Sequence, residues 1–199
     1  VTLSVKSWLA CGVLWCGLVG QVVAQDAGTE GQSVSPLSAP YVTPSVDADI
    51  DYVMNGPNGA KLHQRMRWSA ALWRQRVELE GSATVMLTDY RNHRLMVLNT
   101  ADHSATVVPA PGSSFTPPGV SAPGVWHQIG PAMIAGQACT VWESGDNVKQ
   151  PTDFCYTTDG LLLGATQGGR LVVQAHRVER KVQDTALFDP PLGYHRQDQ

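Results

Sequence analysis

From Ser45 nearly to the C-terminus, apolar and polar residues alternate with a period of two. No stretch sustains the 3.6-residue period of a long amphipathic helix. Successive side chains of a strand point to opposite faces, so this pattern confines the chain to sheets with one apolar and one polar side. The pattern is clearest at 46–68. Val46, Ala48, Ile50, Tyr52 and Met54 alternate with Asp47, Asp49 and Asp51, and after Asn55-Gly56-Pro57-Asn58-Gly59, Leu62, Met66 and Trp68 alternate with Lys61, His63, Arg65 and Arg67. Pairing Met54 with Ala60 across the turn sets Asp51 opposite His63, Asp49 opposite Arg65, Asp47 opposite Arg67 and Val46 opposite Trp68. Each such pair stabilises a sheet by about 0.2–1 kcal/mol, and a one-residue slip would invert both faces.

The next strand extends the pattern. Trp73, Val77 and Leu79 alternate with Arg74, Arg76, Glu78 and Glu80, which predicts Trp68 beside Trp73 and Leu62 beside Leu79. The polar side then carries the ladders Asp49–Arg65–Arg76 and Asp51–His63–Glu78, with Arg67 next to Arg74. Further strands are expected at 84–88, 93–98, 104–108, 138–143, 153–158, 161–166 and 170–178, and a short helix at 180–188. Asp159-Gly160 and Gly168-Gly169 carry the residues of two-residue type I′ hairpin turns. Residues 109–124 hold five prolines and three glycines, too many for a strand, and read as a long surface loop or lid.

The N-terminal residues have a different character. Lys6 is the only charge before Asp26, and an apolar run from Trp8 to Ala24 follows it. Val22-Val23-Ala24 suits a signal peptidase, which places a signal sequence at 1–24 with cleavage after Ala24. The run is shorter than the roughly 20 apolar residues that span a bilayer and is interrupted by glycines, which disfavours a retained anchor as the alternative. A lipoprotein acylated at Cys16 or Cys11 is the other alternative. Trp15 stands where such a site needs a small residue, and Cys11 comes too early to leave an apolar core ahead of it. Residues 25–44, rich in Ser, Gly, Pro and Gln, read as a flexible linker, and 45–199 as a single β-rich domain. The expected location is the periplasm, or secretion, in a Gram-negative bacterium, with no stable transmembrane span after processing.

Export changes what the cysteines and charges mean. Of four cysteines, Cys139 and Cys155 remain, in a compartment that favours oxidation, and they are expected to form a disulfide across a hairpin. A redox-active pair would use Cys-x-x-Cys at a helix start, which is absent. Without Lys6 there are 13 basic residues against 17 acidic ones. That balance disfavours nucleic acid, which needs a basic surplus.

Several chemistries are tested by spacing. Asp47, Asp49 and Asp51 resemble the start of a calcium loop, but Tyr52 and Asn58 occupy the places of its glycine and final glutamate. The histidines at 63, 93, 103, 127, 176 and 195 show no metal-ligand spacing. There is no Gly-x-Ser-x-Gly elbow and no phosphate-cradling glycine loop between strand and helix. No catalytic residue, metal or cofactor is therefore assigned, and an enzyme is not expected. Tyr52, Met54, Met66, Trp68, Trp73, Val77 and Leu79 line one side of the first three strands. They read either as packed core or as the wall of a pocket for an apolar ligand.

Particular blocks carry a resemblance. These are Arg76-Val77-Glu78, Val85-Met86-Leu87-Thr88-Asp89-Tyr90, the stretch from Ile134 through Cys139 to Trp142, the stretch from Cys155 through Asp159-Gly160 to Leu163, and Ala186-Leu187-Phe188-Asp189-Pro190-Pro191-Leu192-Gly193-Tyr194. Together they resemble a group of uncharacterised exported proteobacterial proteins, related distantly to the LolA, LolB and RseB half-barrel carriers. The resemblance implies a mainly β fold: a strongly curved antiparallel sheet, an open or half barrel, with one or two short helices and the Pro/Gly-rich loop. It implies a binding or carrier protein of the cell envelope with an apolar concave surface for a lipid, an acyl chain or a lipidated partner. The alternative is a structural or sensory envelope protein that acts through protein contacts. The carriers have an amphipathic helix before the first strand, where this chain has its Pro/Ser-rich segment, and the loop at 109–124 is the candidate replacement for it.

Overall fold

The computed structural model describes residues 38–110, 115–145 and 151–198. The expected signal sequence 1–24 and residues 25–37 of the expected linker lie outside the described residues. Among the described residues the fold is one twelve-stranded sheet, curved but not closed into a barrel, with no helix of seven or more residues. In chain order the strands are β1 (Ala48–Asn55), β2 (Lys61–Ser69), β3 (Arg74–Leu79), β4 (Thr84–Asp89), β5 (Arg94–Asn99), β6 (Ser104–Pro109), β7 (Trp126–Ile134), β8 (Gln137–Ser144), β9 (Thr152–Tyr156), β10 (Leu162–Gln167), β11 (Arg170–Glu179) and β12 (His195–Asp198). In space they run β12-β6-β5-β4-β3-β2-β1-β11-β10-β9-β8-β7. All pairings are antiparallel except β12, which lies parallel to β6.

The first hairpin keeps its predicted faces but shifts its register by two residues. Met54 lies opposite Leu62, Asp51 opposite Arg65, Asp49 opposite Arg67 and Ala48 opposite Trp68. The loop decides this. Gly56 N–H bonds to the Ala60 carbonyl at 2.8 Å, and Asn58 and Gly59 both take positive φ, so pairing starts at Asn55–Lys61. A shift of two preserves every face, and alternation alone cannot detect it. The error propagates into β3: Trp68 faces Gln75 rather than Trp73, Met66 faces Val77, Gln64 faces Leu79 and Arg65 faces Glu78. Arg67 lies beside Arg76, and both reach Glu78, at 2.6 and 2.8 Å. In register the predicted ladders are thus replaced by Asp49–Arg67–Arg76 and Asp51–Arg65–Glu78, while the expected Asp49–Arg65 ion pair forms diagonally, and Asp47 lies before β1.

Strands β3 to β6 begin at 74, 84, 94 and 104, six residues each with four-residue loops between. Three loops end in a non-glycine residue of left-handed φ: Trp73, His93 and His103. Their carbonyls accept from Tyr90, Ala110 and His195 respectively, so a neighbouring segment holds each costly conformation in place.

Two cores sit on opposite faces. Ala48, Ile50, Tyr52, Met66, Trp68 and Val77 belong to the larger core, together with Leu161, Leu163 and Ala175 from the far strands. Register places Val85 opposite Glu78 and Leu87 opposite Arg76, on the charged face. There Val85, Leu87, Met96, Leu98 and Ala105 form a second core with Val107 and Tyr194 of the C-terminal segment. The predicted helix at 180–188 is only a 3-10 turn at Thr185–Phe188, capped by the Asp184 side chain. The residues before it are drawn out by Arg180–Asp159 and Lys181–Asp49 ion pairs and by a Gln183 N–H bond to the Asp47 carboxylate.

β7 is an edge strand that alternation does not reveal. It contains Gly130 and Pro131, and its hairpin to β8 turns through Ala135-Gly136, both at positive φ, without the usual Asn or Asp. Gly168-Gly169 does form a two-residue turn with both φ positive. Asp159-Gly160 does not. Only Gly160 has positive φ, and Gly160 N–H closes a turn onto the Thr157 carbonyl. The far strands curl tightly, because Ile134 of β7 reaches β10 at Gly164, where a Cβ would lie 2.9 Å from the Ile134 Cδ1.

The Cys139–Cys155 disulfide joins β8 and β9, with both residues buried and Cα atoms 5.5 Å apart. Cys155 lies opposite Val141, so the bridge runs diagonally between the strands rather than between directly opposed residues.

Candidate functional site

The apolar face of β1–β3 is covered by two irregular segments. The first is 38–45, which composition assigns mostly to the linker. Its backbone is tied in at several points: the Pro40 carbonyl accepts from Ala122, the Pro44 carbonyl from Trp68 Nε1 at 2.9 Å, and Ser45 N–H donates to Asp159. Thr43 Oγ1 donates to the Thr116 carbonyl, Tyr41 bridges to Ser121, and Ala39 and Thr43 are buried. Gly160 permits this approach, since a Cβ there would collide with the Thr43 carbonyl. Ser38–Ser45 is therefore a strap belonging to the folded unit, and the physical reason is long-range backbone bonding that composition cannot show.

The second segment is the loop between β6 and β7. Phe115 inserts against the sheet, its ring stacked on Tyr90 at 4.5 Å, 5.4 Å from Trp73 and 6.5 Å from Trp68. Arg91 lies over Trp73 as well, its guanidinium 4.8 Å from the ring centre. Such ring pairs favour offset or tilted geometry and add about 0.5–1.5 kcal/mol beyond area burial.

Between strap and sheet lie two adjoining open clefts. One, of about 250 Å³, is walled by Met66, Trp68, Tyr90, His93 and Phe115. The other, of about 360 Å³, is walled by Tyr52, Met54, Tyr156, Leu162 and Val173. Val42, Pro44, Met66 and Gln75 border both. Burial raises the Tyr52 phenol, with Tyr156 adding to the shift, and burial pushes Tyr156 up to about 12. Both stay neutral at physiological pH, and Tyr52 donates to the Leu162 carbonyl at 2.7 Å. The walls contain no Asp, Glu, Lys or Arg, and their polar contributions come from Gln75, Gln64 and His93.

Of the residues selected by sequence, Tyr52, Met54, Met66 and Trp68 line these clefts. Trp73 stands in the β2–β3 loop against Phe115, and Val77 is packed in the core beside them. Leu79 does not join them. It borders a separate hollow with Asp51, His63, Arg65, Glu78, Glu80 and His176. Sequence reasoning missed Val42, Pro44, Tyr90 and Phe115, whose only signal was an aromatic or aliphatic residue inside a segment otherwise poor in them. It also missed a third cleft of about 300 Å³ inside the far curl, lined by Ala132, Ile134, Val141, Cys155, Ala165 and Leu171.

The opposite face is organised around one buried carboxylate. Asp49 is 1 % exposed and accepts from Arg65 Nε and Nη2 at 2.8 and 2.6 Å, with Lys181 at 3.2 Å and Arg177 and Arg67 at 3.8 and 3.9 Å. Burial alone would raise its pKa. The hydrogen bonds from Arg65 and Lys181 outweigh that and hold it at about 2. Among the described residues, no three His, Cys, Asp or Glu converge as a metal would require.

No family model and no curated protein matches the chain. Solved structures do. An uncharacterized conserved protein from Thermus thermophilus superposes with a TM-score of 0.56 at 10% identity, over 78% of this chain and 91% of that one. MucB superposes with a TM-score of 0.50 at 12% identity, over 75% of this chain and 58% of MucB. This chain therefore matches little more than half of MucB. At these identities the likeness is one of fold. The curved, unclosed antiparallel sheet expected from the sequence is present.

Proposed function

We propose that this chain is an exported binding or carrier module of the cell envelope, processed after Ala24, whose apolar face takes a lipid, an acyl chain or the acyl group of a lipidated partner. The observation that carries this reading is the pair of clefts beneath the strap. They adjoin, have walls rich in methionine and aromatic groups and free of Asp, Glu, Lys and Arg, and fall at or just below the 300–1,000 Å³ range of ligand pockets. Methionine and aromatic side chains adapt to flexible apolar ligands. The strap and Phe115 stand where a carrier needs a cover, and the half-barrel fold is compatible with the role. The reading assigns no catalytic residue and no cofactor.

The test is organic extraction of protein purified from its own host, followed by mass spectrometry, together with titration of a fluorescent polyene fatty acid. Stoichiometric lipid, or saturable probe binding weakened at least tenfold by Met66→Lys, is the expected result. Extracts free of lipid together with no probe binding would refute the reading.

A second reading, an envelope protein acting through protein contacts, is favoured by edge strand β7. Among the described residues its outer backbone edge has no strand neighbour, and Ile129 and Met133 are exposed. Site-specific crosslinking from Ile129 in cells would capture a stoichiometric partner under this reading.

A further inference from the structure

A small pocket on the charged face, floored by residues of the second core and separated by the sheet from the cleft residues Gln75, Tyr90 and His93, collects three guanidinium groups from three strands. It is lined by Arg74 of β3, Arg94 of β5 and Arg196 of β12, with Asp89, Asp189 and a floor that includes Leu87, Met96 and buried Phe188. Its volume is about 80 Å³, room for one small group. The charges within it do not balance. Arg74 takes both carboxylates, donating to Asp89 and to Asp189 at 3.0 Å each, and Asp89 is further engaged by Asn92. Arg94 and Arg196 have no carboxylate partner among the described side chains. Three cations against two anions is a local surplus on a chain of net charge −3.

Arg196 is not on a loose tail. β12 pairs with β6 over four residues, His195 N–H bonds to the His103 carbonyl, and the Tyr194 ring meets His103 edge-on at 5.4 Å. The C-terminal segment crosses the sheet from Phe188 and returns its last strand to the edge of β6, which brings Arg196 back beside Arg94 and Arg74. An arginine presents five N–H donors in a rigid fork suited to phosphate oxygens, and an apolar floor lowers the local dielectric and strengthens the attraction.

We propose that this pocket is a binding site for a single phosphate group, held by Arg94 and Arg196 and oriented by the fixed Arg74. Two guanidiniums without a carboxylate partner among the described side chains match the charge and oxygen count of a phosphate better than those of a carboxylate. The net negative chain and the one-group volume set this site apart from a nucleic-acid surface. The phosphate is either free in solution or the headgroup of an anionic lipid at a membrane surface. The proposal is independent of the clefts on the other face.

The test titrates inorganic phosphate into the exported chain by calorimetry, with acetate in parallel, and compares wild type with Arg94→Gln, Arg196→Gln and the double variant. Both side chains are exposed and make no ion pair with a described carboxylate, so the variants are expected to fold, which circular dichroism checks. Arg94→Lys keeps the charge and should bind with intermediate affinity, and Arg170→Gln, on a distant hairpin, serves as the control. Saturable phosphate binding, at least tenfold weaker in the double variant and unchanged in the control, supports the site. Cosedimentation with phosphatidylcholine vesicles, with and without phosphatidylglycerol, then distinguishes the sources. Binding to phosphatidylglycerol vesicles that phosphate competes away identifies a headgroup site, and no vesicle binding identifies a free phosphate site. No saturable phosphate binding, equal binding in the double variant, or acetate binding as tight as phosphate would overturn the proposal.

Discussion

Replacing Asp49 by Asn should destabilise the protein by about 3 kcal/mol at neutral pH, and most of that difference should vanish in acid. Asp49 is the one carboxylate within 4 Å of Arg65, Arg67, Arg177 and Lys181 together. Removing one member of a buried ion pair costs about 3–5 kcal/mol, because the remaining charge is left uncompensated. Here Arg65, Arg177 and Lys181 are partly exposed and recover some hydration, which places the cost at the low end. The pH dependence gives a second, independent magnitude. The Asp49 pKa is lowered from 3.8 to about 2, and one unit corresponds to 1.36 kcal/mol, so ionisation contributes about 2 kcal/mol. The folded pKa is depressed, so this contribution is full above about pH 4 and is lost as pH falls toward 2. Urea denaturation of wild type and Asp49→Asn at intervals from pH 7 to pH 2 measures both. Glu78, Asp89 and Asp159 also have lowered pKa values, but they are common to the two proteins and largely cancel in the difference. A gap below about 1 kcal/mol at pH 7, or a gap that stays constant down to pH 2, would refute the account of Asp49 as the charged hub.

Three further outcomes are expected. The double substitution Cys139→Ala/Cys155→Ala opens a loop of sequence separation 16 and should cost about 3 kcal/mol in the chain-entropy model, a fall of roughly 6–12 °C in Tm by calorimetry; an unchanged Tm would show that the bridge constrains nothing. Gly160→Ala places a Cβ against the Thr43 carbonyl at a positive φ of 87°, so limited proteolysis should cut within 38–45, and a strap as resistant as in wild type would contradict its docking. Phe115→Ala removes the ring from the Tyr90–Trp73–Trp68 cluster and should cost about 2 kcal/mol, somewhat less than the 3–5 kcal/mol of a fully buried phenylalanine, while raising the affinity for an acyl probe severalfold; weaker probe binding would argue that Phe115 is ligand contact rather than cover.

Particular elements show what could be read from residues alone. The meander 74–109 is visible because each strand is an alternating or short apolar run and each loop breaks it with polar residues, whereas β7 is hidden by Pro131, Gly130 and an Ala-Gly turn that lacks the usual side-chain signature. Four of the seven residues chosen for an apolar wall line the clefts, since the face of a residue follows from parity. Leu79 fell outside because its strand end passes beyond the cleft to a hollow shared with Glu78 and Glu80.

The sequence by itself determined the β class, the two-sidedness of β1–β3 and the pairing of the last two cysteines, because these depend on local periodicity and on two cysteines falling on neighbouring strands of one hairpin. Tertiary structure alone decided the two-residue register, since a period of two is blind to even shifts and only the Gly56–Ala60 loop distinguishes them. It decided that the apolar side switches faces between β3 and β4, giving two cores, because that depends on which surface the strap and the C-terminal segment cover. It also turned a Pro/Ser-rich stretch into the strap over the candidate site. Its backbone partners, Trp68, Thr116, Ala122 and Asp159, are distant in sequence, and no local composition encodes a bond to them.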